Sequence, residues 1–297
     1  MNSRKIRDTT GEKIFYVFNN IFLIILAFVC LYPMYYVLIG ALSEPVNMLS
    51  HRGLLILPLG LSLDSFSRVF QYPMIPIGYR NTLFYVVAGT AINLFLTTLG
   101  AYGLSRKRVM FRNPIMFMIV FTMFFHGGLI PTYLWMRQIR ILNTFWAMLL
   151  PRAISAWNLI IMRTSFAAIP DSLIESAKIE GAGDIHILTR IVIPLSTAVI
   201  AVMLLYYGVA NWNRWFDALI YLRDRALYPL QLVLREILIA NDTSSMTTSA
   251  ISASDKEPLG LTIKYSTIII ATVPILTVYP FIQKYFIKGV MVGAIKG

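Results

Sequence analysis

The stretch Ile169-Pro-Asp-Ser-Leu-Ile-Glu-Ser-Ala-Lys-Ile-Glu-Gly-Ala-Gly-Asp-Ile-His-Ile-Leu-Thr-Arg-Ile-Val-Ile-Pro194 reads as two short helices joined by a turn. Pro170 ends any helix that precedes it. Ser172-Leu-Ile-Glu175 has the spacing of a capping box, serine at N-cap and glutamate three residues on. The helix it opens runs to Gly181, a residue suited to the left-handed C′ position. Ala182-Gly183 makes the turn, and Asp184 caps a second helix that stops before Pro194. Ala177, Gly181 and Ala182 are small enough to let another backbone come close. Read from local rules alone, this is a capped surface hairpin. Its surroundings decide the fold. One apolar run, from Thr144 to about Ala168, leads into it, and another leaves it at Pro194 and continues to Tyr221.

A helix that crosses the hydrocarbon core needs about 20 mostly apolar residues. Four more runs meet that length: Ile14 to Ile39, Asn81 to Leu104, Pro114 to about Trp135, and about Ile263 to Tyr285. His126-Gly127-Gly128 and Pro131 interrupt the third run of the chain, and Pro151-Arg152 the fourth. The glycine pair reads either as a helix break lining a path or as a packing notch, and the notch is preferred. Composition agrees with a membrane protein. Hydrophobic residues make up 57% and charged residues 13%, against roughly 25% charged in soluble domains. A mean hydropathy of +0.68 leaves too little polar surface to face water all round. The sequence therefore predicts an all-α polytopic membrane protein with six transmembrane helices, which places both termini on one side.

Basic residues near span ends mark the cytoplasmic side. They gather at Arg4, Lys5, Arg7 and Lys13, at Arg106, Lys107, Arg108 and Arg112, at Arg163, Lys178 and Arg190, and at Lys284, Lys288 and Lys296. Both termini and the hairpin are thus expected inside, although Arg137, Arg140, Arg223, Arg225 and Arg235 fall on the other side. The formal charge of +12 is read as contact with anionic membrane lipid, with no nucleic acid involved. The expected division is a cytoplasmic arm at 1–13, a first helix and external loop at 14–79, a core at 80–285 and a cytoplasmic tail at 286–297. The core carries the hairpin at 170–193 and an external loop at 222–262, whose tract from Asn241 to Pro258 is rich in Ser and Thr. The first run is too long for a signal peptide and lacks a small-residue cleavage site. Cys30 reads as a buried thiol.

Much chemistry is excluded. No glycine is followed by lysine, so there is no phosphate-binding G-x-x-x-x-G-K-[ST] loop, and H-E-x-x-H, G-x-S-x-G and C-x-x-C are absent. One cysteine and three scattered histidines offer no metal centre and no catalytic site. Ion-driven carriers place carboxylates inside the bundle. Here only Asp217 qualifies, and its position three residues after Arg214 suggests a same-helix ion pair.

Glu175-Ser-Ala177, then Gly181 after three residues, then Ile191-x-Ile193-Pro194 after nine more, resembles the "EAA" motif of binding-protein-dependent ABC importer permeases. Every spacing of the family pattern is kept. Ser176 and Ile193 are the departures. The likeness covers roughly 80 to 297 and lies in the carbohydrate branch that includes the maltose importer's smaller permease. Phe125 to Tyr133, Asn211 to Phe216, Ala218 to Arg225 and the terminal Gly293-Ala-Ile-Lys-Gly297 look like its oligosaccharide and polysaccharide permeases, alginate importers among them. The resemblance implies the type I importer architecture in a bacterial inner membrane. It also implies a second, non-identical permease, an ATPase homodimer that binds ATP and Mg, and an extracytoplasmic solute-binding protein. This chain itself would hold no cofactor. Glu175, Ala177, Gly181 and Ala182 would form the coupling segment seated in the ATPase, and the tail would run along the ATPase interface.

A substrate path is read from a polar stripe, Tyr207, Asn211, Arg214 and Trp215, joined by Arg152 and Asn158 from the preceding run. Aromatic faces and Asn/Arg donors suit an oligosaccharide, and two arginines favour an acidic one. The competing reading is interfacial, since Trp, Tyr and Arg collect at membrane boundaries. No acidic residue lies near Arg152 within its own run, so it is expected to face a hydrated cavity or the partner permease. A secondary sugar carrier is the alternative function, and a membrane enzyme of lipid-linked or cell-wall sugars a third.

Overall fold

The computed structural model describes residues 9–239, 259–277 and 280. Arg4, Lys5, Arg7, the tract 241–258, Lys284, Lys288, Lys296 and the terminal 293–297 segment lie outside the described residues. The chain divides into two compact units, residues 1–69 with 243–270 and residues 70–242 with 271–297. The described residues are helical and contain no strand beyond one isolated bridge, Ser43 with Leu61.

In the first unit, α1 (Thr10–Ala41) opens on a capping box: the Thr9 side chain accepts from the Glu12 N–H, and Glu12 accepts from the Thr9 N–H. This signature, five residues ahead of the apolar run that begins at Ile14, starts the helix earlier than apolarity alone suggests. Along its apolar stretch α1 has no residue buried by the other described residues. Cys30 is accordingly exposed on α1. It is not the buried thiol expected, because no element among the described residues covers this face. Between 42 and 73 the chain is a loop carrying α2 (Pro45–Ser50), started by proline at its first turn, and α3 (Asp64–Gln71). Ile39, Met48 and Leu55 form a small core there, and the Ser65 hydroxyl donates to Thr262 over 2.7 Å.

The second unit is organised by α4 (Met74–Ser105), which begins seven residues before the apolar run. After it come α5 (Arg112–Phe124), α6 (Leu129–Gln138), α7 (Trp146–Leu149), α8 (Ala156–Ala167), α9 (Asp171–Ile179), α10 (Asp184–Ile187) and α11 (Ile193–Leu195). The chain then forms α12 (Thr197–Trp212), α13 (Trp215–Tyr221) and α14 (Leu230–Ile239). A last helix, α15 (Leu259–Thr277), has its residues up to 270 in the first unit and the rest in the second. Among the described residues α1, α4 and α15 are long and apolar enough to cross a membrane alone, and two bent pairs raise the number to five. One pair, α5 with α6, turns by 113° at residues 125–128, where Gly128 has φ +83°. His126-Gly127-Gly128 is therefore a true break and not the packing notch preferred from sequence. The other pair turns by 86° between residues 184–195 and 197–212.

The expected fourth span is not one helix. Residues 150–155 run irregularly between α7 and α8, and α8 is only 12 residues long, about 18 Å. Irregular backbone at membrane depth needs internal hydrogen-bond partners, since lipid supplies none. Here α4 provides them. Asn93 Nδ2 donates to the carbonyls of Arg152 (2.8 Å) and Ala153 (2.9 Å). The Ser155 N–H donates to Tyr207 Oη over 3.2 Å, and Tyr207 shares a 2.7 Å bond with Thr97. At the other end of α4, Asn81 Nδ2 holds the carbonyls of Ala226 and Tyr228, while Thr82 Oγ1 accepts from the Leu230 N–H. The polar residues of α4 are thus docking points for chain that is not helical. Gly89 lets α12 in close: a Cβ there would fall 2.9 Å from Asn211 Nδ2.

Candidate functional site

The hairpin between α8 and α12 forms, with different local chemistry from that expected. Pro170 itself occupies the N-cap of α9, so the helix starts at Asp171 and no side chain caps it. Ser172 is then the second helical residue and Glu175 the fifth, too far along to close a capping box. Likewise Gly183, not Asp184, is the N-cap of α10. The C-terminal reading stands. Gly181 has φ +87°, the Ala182 N–H donates to the Ala177 carbonyl (2.9 Å) and the Gly181 N–H to the Lys178 carbonyl (3.0 Å). These two bonds make a Schellman motif. After α10 a π-turn (Leu188–Val192) carries the chain into α11 without a stop at Pro194, and the break comes at Ser196.

One face of the hairpin is built into the protein. Ile174, Ala177, Ile187, Leu188 and Val192 pack with Tyr102, Met162, Phe166 and Met203 from α4, α8 and α12. Charged contacts fix its position. Lys107 Nζ lies 2.7 Å from the Asp171 carboxylate, and this hydrogen bond and charge hold the Asp171 carboxyl below its ordinary range. Asp184 accepts from the Tyr102 hydroxyl at 3.1 Å and pairs with Lys178 at 3.3 Å.

The opposite face is bare. Ile179 is 87% and Ile185 80% exposed, on either side of the Gly181 turn, and Glu175 is exposed with no ion pair among the described residues. Of the small residues expected to admit another backbone, Ala177 instead faces inward onto the chain's own core, Ala182 packs at its margin, and only Gly181 lies open. The two exposed isoleucines went unremarked from sequence. The signal was present: large apolar residues at the rim of a turn in an otherwise polar segment.

The path residues fall into two groups. Tyr207, Asn211 and Asn158 are buried; Asn211 Nδ2 donates to Asn93 (3.0 Å) and Thr90 (3.2 Å) on α4. Arg152 and Arg214 gather around one carboxylate, and Trp215 lies next to Arg214 in sequence. Asp217 pairs with Arg214 at 3.5 Å, as its spacing suggests, and with Arg152 through both oxygens, at 3.0 and 3.1 Å. Arg152 therefore does have an acidic partner, 65 residues away in sequence, which a search within its own run misses. Asp217 and Arg214 have side chains 9% exposed, against 66% for Arg152. Arg214 also donates to the Met148 carbonyl, and the Arg235 guanidinium stacks 5.0 Å over the Trp215 ring. Two guanidiniums on one carboxylate leave one positive charge uncompensated, presented by the exposed Arg152. Among the described residues no cluster of His, Cys, Asp and Glu suits a metal ion.

Comparison with known proteins places this geometry. The family described as binding-protein-dependent transport system inner membrane component matches residues 83–292. The polygalacturonan/rhamnogalacturonan transport system permease protein YtcP of Bacillus subtilis (strain 168) is 42% identical over 276 residues, covering 93% of this chain and 96% of that protein. Protein LplC of the same strain is 39% identical over 98% of this chain and 97% of its own length. Among solved structures, a bacterial ABC transporter involved in the import of the acidic polysaccharide alginate has a chain that superposes with a TM-score of 0.86 at 30% identity. That match covers 95% of this chain and all of the other.

Proposed function

We propose that this chain, which belongs to the family of binding-protein-dependent transport system inner membrane components, couples ATP hydrolysis in a partner subunit to import of an acidic oligosaccharide. It is a membrane-embedded permease subunit of a sugar importer of the ABC type, and its relatives are transport subunits, not enzymes. The finer reading has three parts. The hairpin is the element that an ATPase homodimer, binding ATP and Mg, grips from the cytoplasm. A second, non-identical permease completes the pathway, and an extracytoplasmic binding protein delivers the sugar. Both termini lie on the ATPase side. The only carboxylate buried among the described residues, Asp217, is held between two arginines, which does not favour the proton relay of a secondary carrier.

The observation that carries the coupling reading is the tip around Gly181. Its inner face is anchored in the core while Ile179 and Ile185 stand free of it. Exposed apolar anchors beside a rigid turn suit a cleft in another protein. Replacing both by aspartate disturbs no buried side chain among the described residues, so the variant should reach the membrane at wild-type level yet lose the ATPase on purification. Retention of the ATPase at wild-type stoichiometry would remove the tip from the interface.

The acidic-substrate reading rests on the surplus charge at Arg152, on the polygalacturonan/rhamnogalacturonan transport named for YtcP and on the acidic polysaccharide alginate imported by the solved transporter. Arg152→Gln leaves Asp217 paired with Arg214, so the fold keeps its inner ion pair. Uptake of an oligogalacturonate should fall about tenfold, roughly the value of one charge-assisted hydrogen bond. Uptake of its methyl-esterified, neutral form should change little. Equal loss on both would mark Arg152 as a structural anchor.

A further inference from the structure

The loop that joins α4 to α5 holds Arg106, Lys107, Arg108 and Arg112 within seven residues. The first two have partners within the chain. Arg106 donates to Ser105 Oγ (2.9 Å) and the Phe166 carbonyl (2.8 Å), and Lys107 is held by Asp171. Arg108 and Arg112 have no carboxylate partner among the described residues. The Nε of Arg112 is buried and also lacks a hydrogen-bond acceptor among them.

Lys107, Arg112 and Asn113 line a cavity of about 470 Å³ together with Val109, Phe111 and Pro114. Next to these cations the loop exposes apolar side chains, Met110 by 76% and Phe111 by 66%, with Phe111 in the left-handed region (φ +59°). The apolar surface does not end there. α5, which starts at Arg112, has no fully buried residue: Ile115, Met116 and Ile119 pack on the core, while Phe117, Met118, Phe121 and Phe124 stay exposed.

We propose that this loop is a binding site for the phosphate headgroup of an anionic phospholipid. Water alone satisfies the guanidiniums and not Met110 or Phe111; hydrocarbon alone satisfies the reverse. A bilayer surface satisfies both, with guanidiniums paired to phosphate oxygens and the apolar pair among the acyl chains. A free phosphate has the same charge chemistry but makes no use of Met110 and Phe111. A protein surface would account for the loop and leave the continuous apolar face of α5 unexplained.

The test uses the importer purified with its partner subunits in nanodiscs of phosphatidylcholine containing one part in about four of phosphatidylglycerol, with retained lipid measured by native mass spectrometry. Each arginine near an anionic surface contributes about a fivefold affinity. Arg108→Gln with Arg112→Gln should therefore lower retention of phosphatidylglycerol about twenty-five-fold. Arg108→Lys with Arg112→Lys should keep most of it. Met110→Ser with Phe111→Ser should weaken phosphatidylglycerol several-fold while leaving any binding of inorganic phosphate, measured in pure phosphatidylcholine discs, unchanged. Equal phosphatidylglycerol retention by the double glutamine variant overturns the proposal. So does wild-type retention by the double serine variant combined with competition by inorganic phosphate, which would make this a free-anion site. Loss of the ATPase at unchanged lipid retention would make it a protein contact and overturns it as well.

Discussion

Asp217→Asn is expected to be the most destabilising single change in this chain. The carboxylate is buried and balances Arg214, itself 9% exposed, as well as Arg152. Removing one member of a buried ion pair strands the other charge, at a cost of about 3–5 kcal/mol. The unfolding midpoint in detergent should fall sharply, and the amount of chain in the membrane with it. The exposed Arg152 can turn to water, so the stranded charge that matters is Arg214. Arg214→Leu added to Asp217→Leu should accordingly recover most of the loss, as apolar replacement of a whole buried pair often does. A midpoint for Asp217→Asn equal to wild type would mean that water already reaches the carboxylate.

Glu175→Ala should produce the largest functional loss with the smallest structural one. Because α9 opens at Asp171 on Pro170, Glu175 caps nothing, and it is exposed with no ion pair among the described residues. Its truncation should leave stability within about 0.5 kcal/mol of wild type, as for most surface changes. If a basic residue of the ATPase receives it, uptake should nevertheless drop to background while the ATPase remains bound through Ile179 and Ile185. Undiminished uptake, normalised to the chain present in the membrane, would dissociate Glu175 from coupling.

These two sites also show what could be read from residues alone. Signals contained in a few consecutive residues survived. The apolar runs that begin at Ile14, Asn81 and Ile263 marked the long helices α1, α4 and α15, Gly181 proved left-handed, and Arg214 met Asp217 three residues on. Signals with two local solutions did not always survive. Ser172 and Glu175 have capping-box spacing, but a proline two residues before that serine can take the N-cap itself, and it does. Thr9 and Glu12, with no such competitor, form the box. Partnerships across the fold were illegible. Nothing in residues 144–168 announces Asp217, and nothing near Pro151 announces that Asn93 will catch the carbonyls of Arg152 and Ala153. The polar spacing of α4 was the available clue, since Asn93 and Thr97 lie one turn apart and share the face that carries Gly89.

That helix has a mechanical consequence. It is unbroken for 32 residues, about 48 Å, and is fastened at both extremities. Near one end Tyr102 bonds Asp184 of the hairpin, and near the other Asn81 and Thr82 bond the segment that leads into α14. With no interior joint, α4 is a lever. A tilt of about ten degrees imposed at the hairpin end displaces the far end by about 8 Å, given the helix rise, and Asn93 obliges the irregular strand of Arg152 to travel with the shaft.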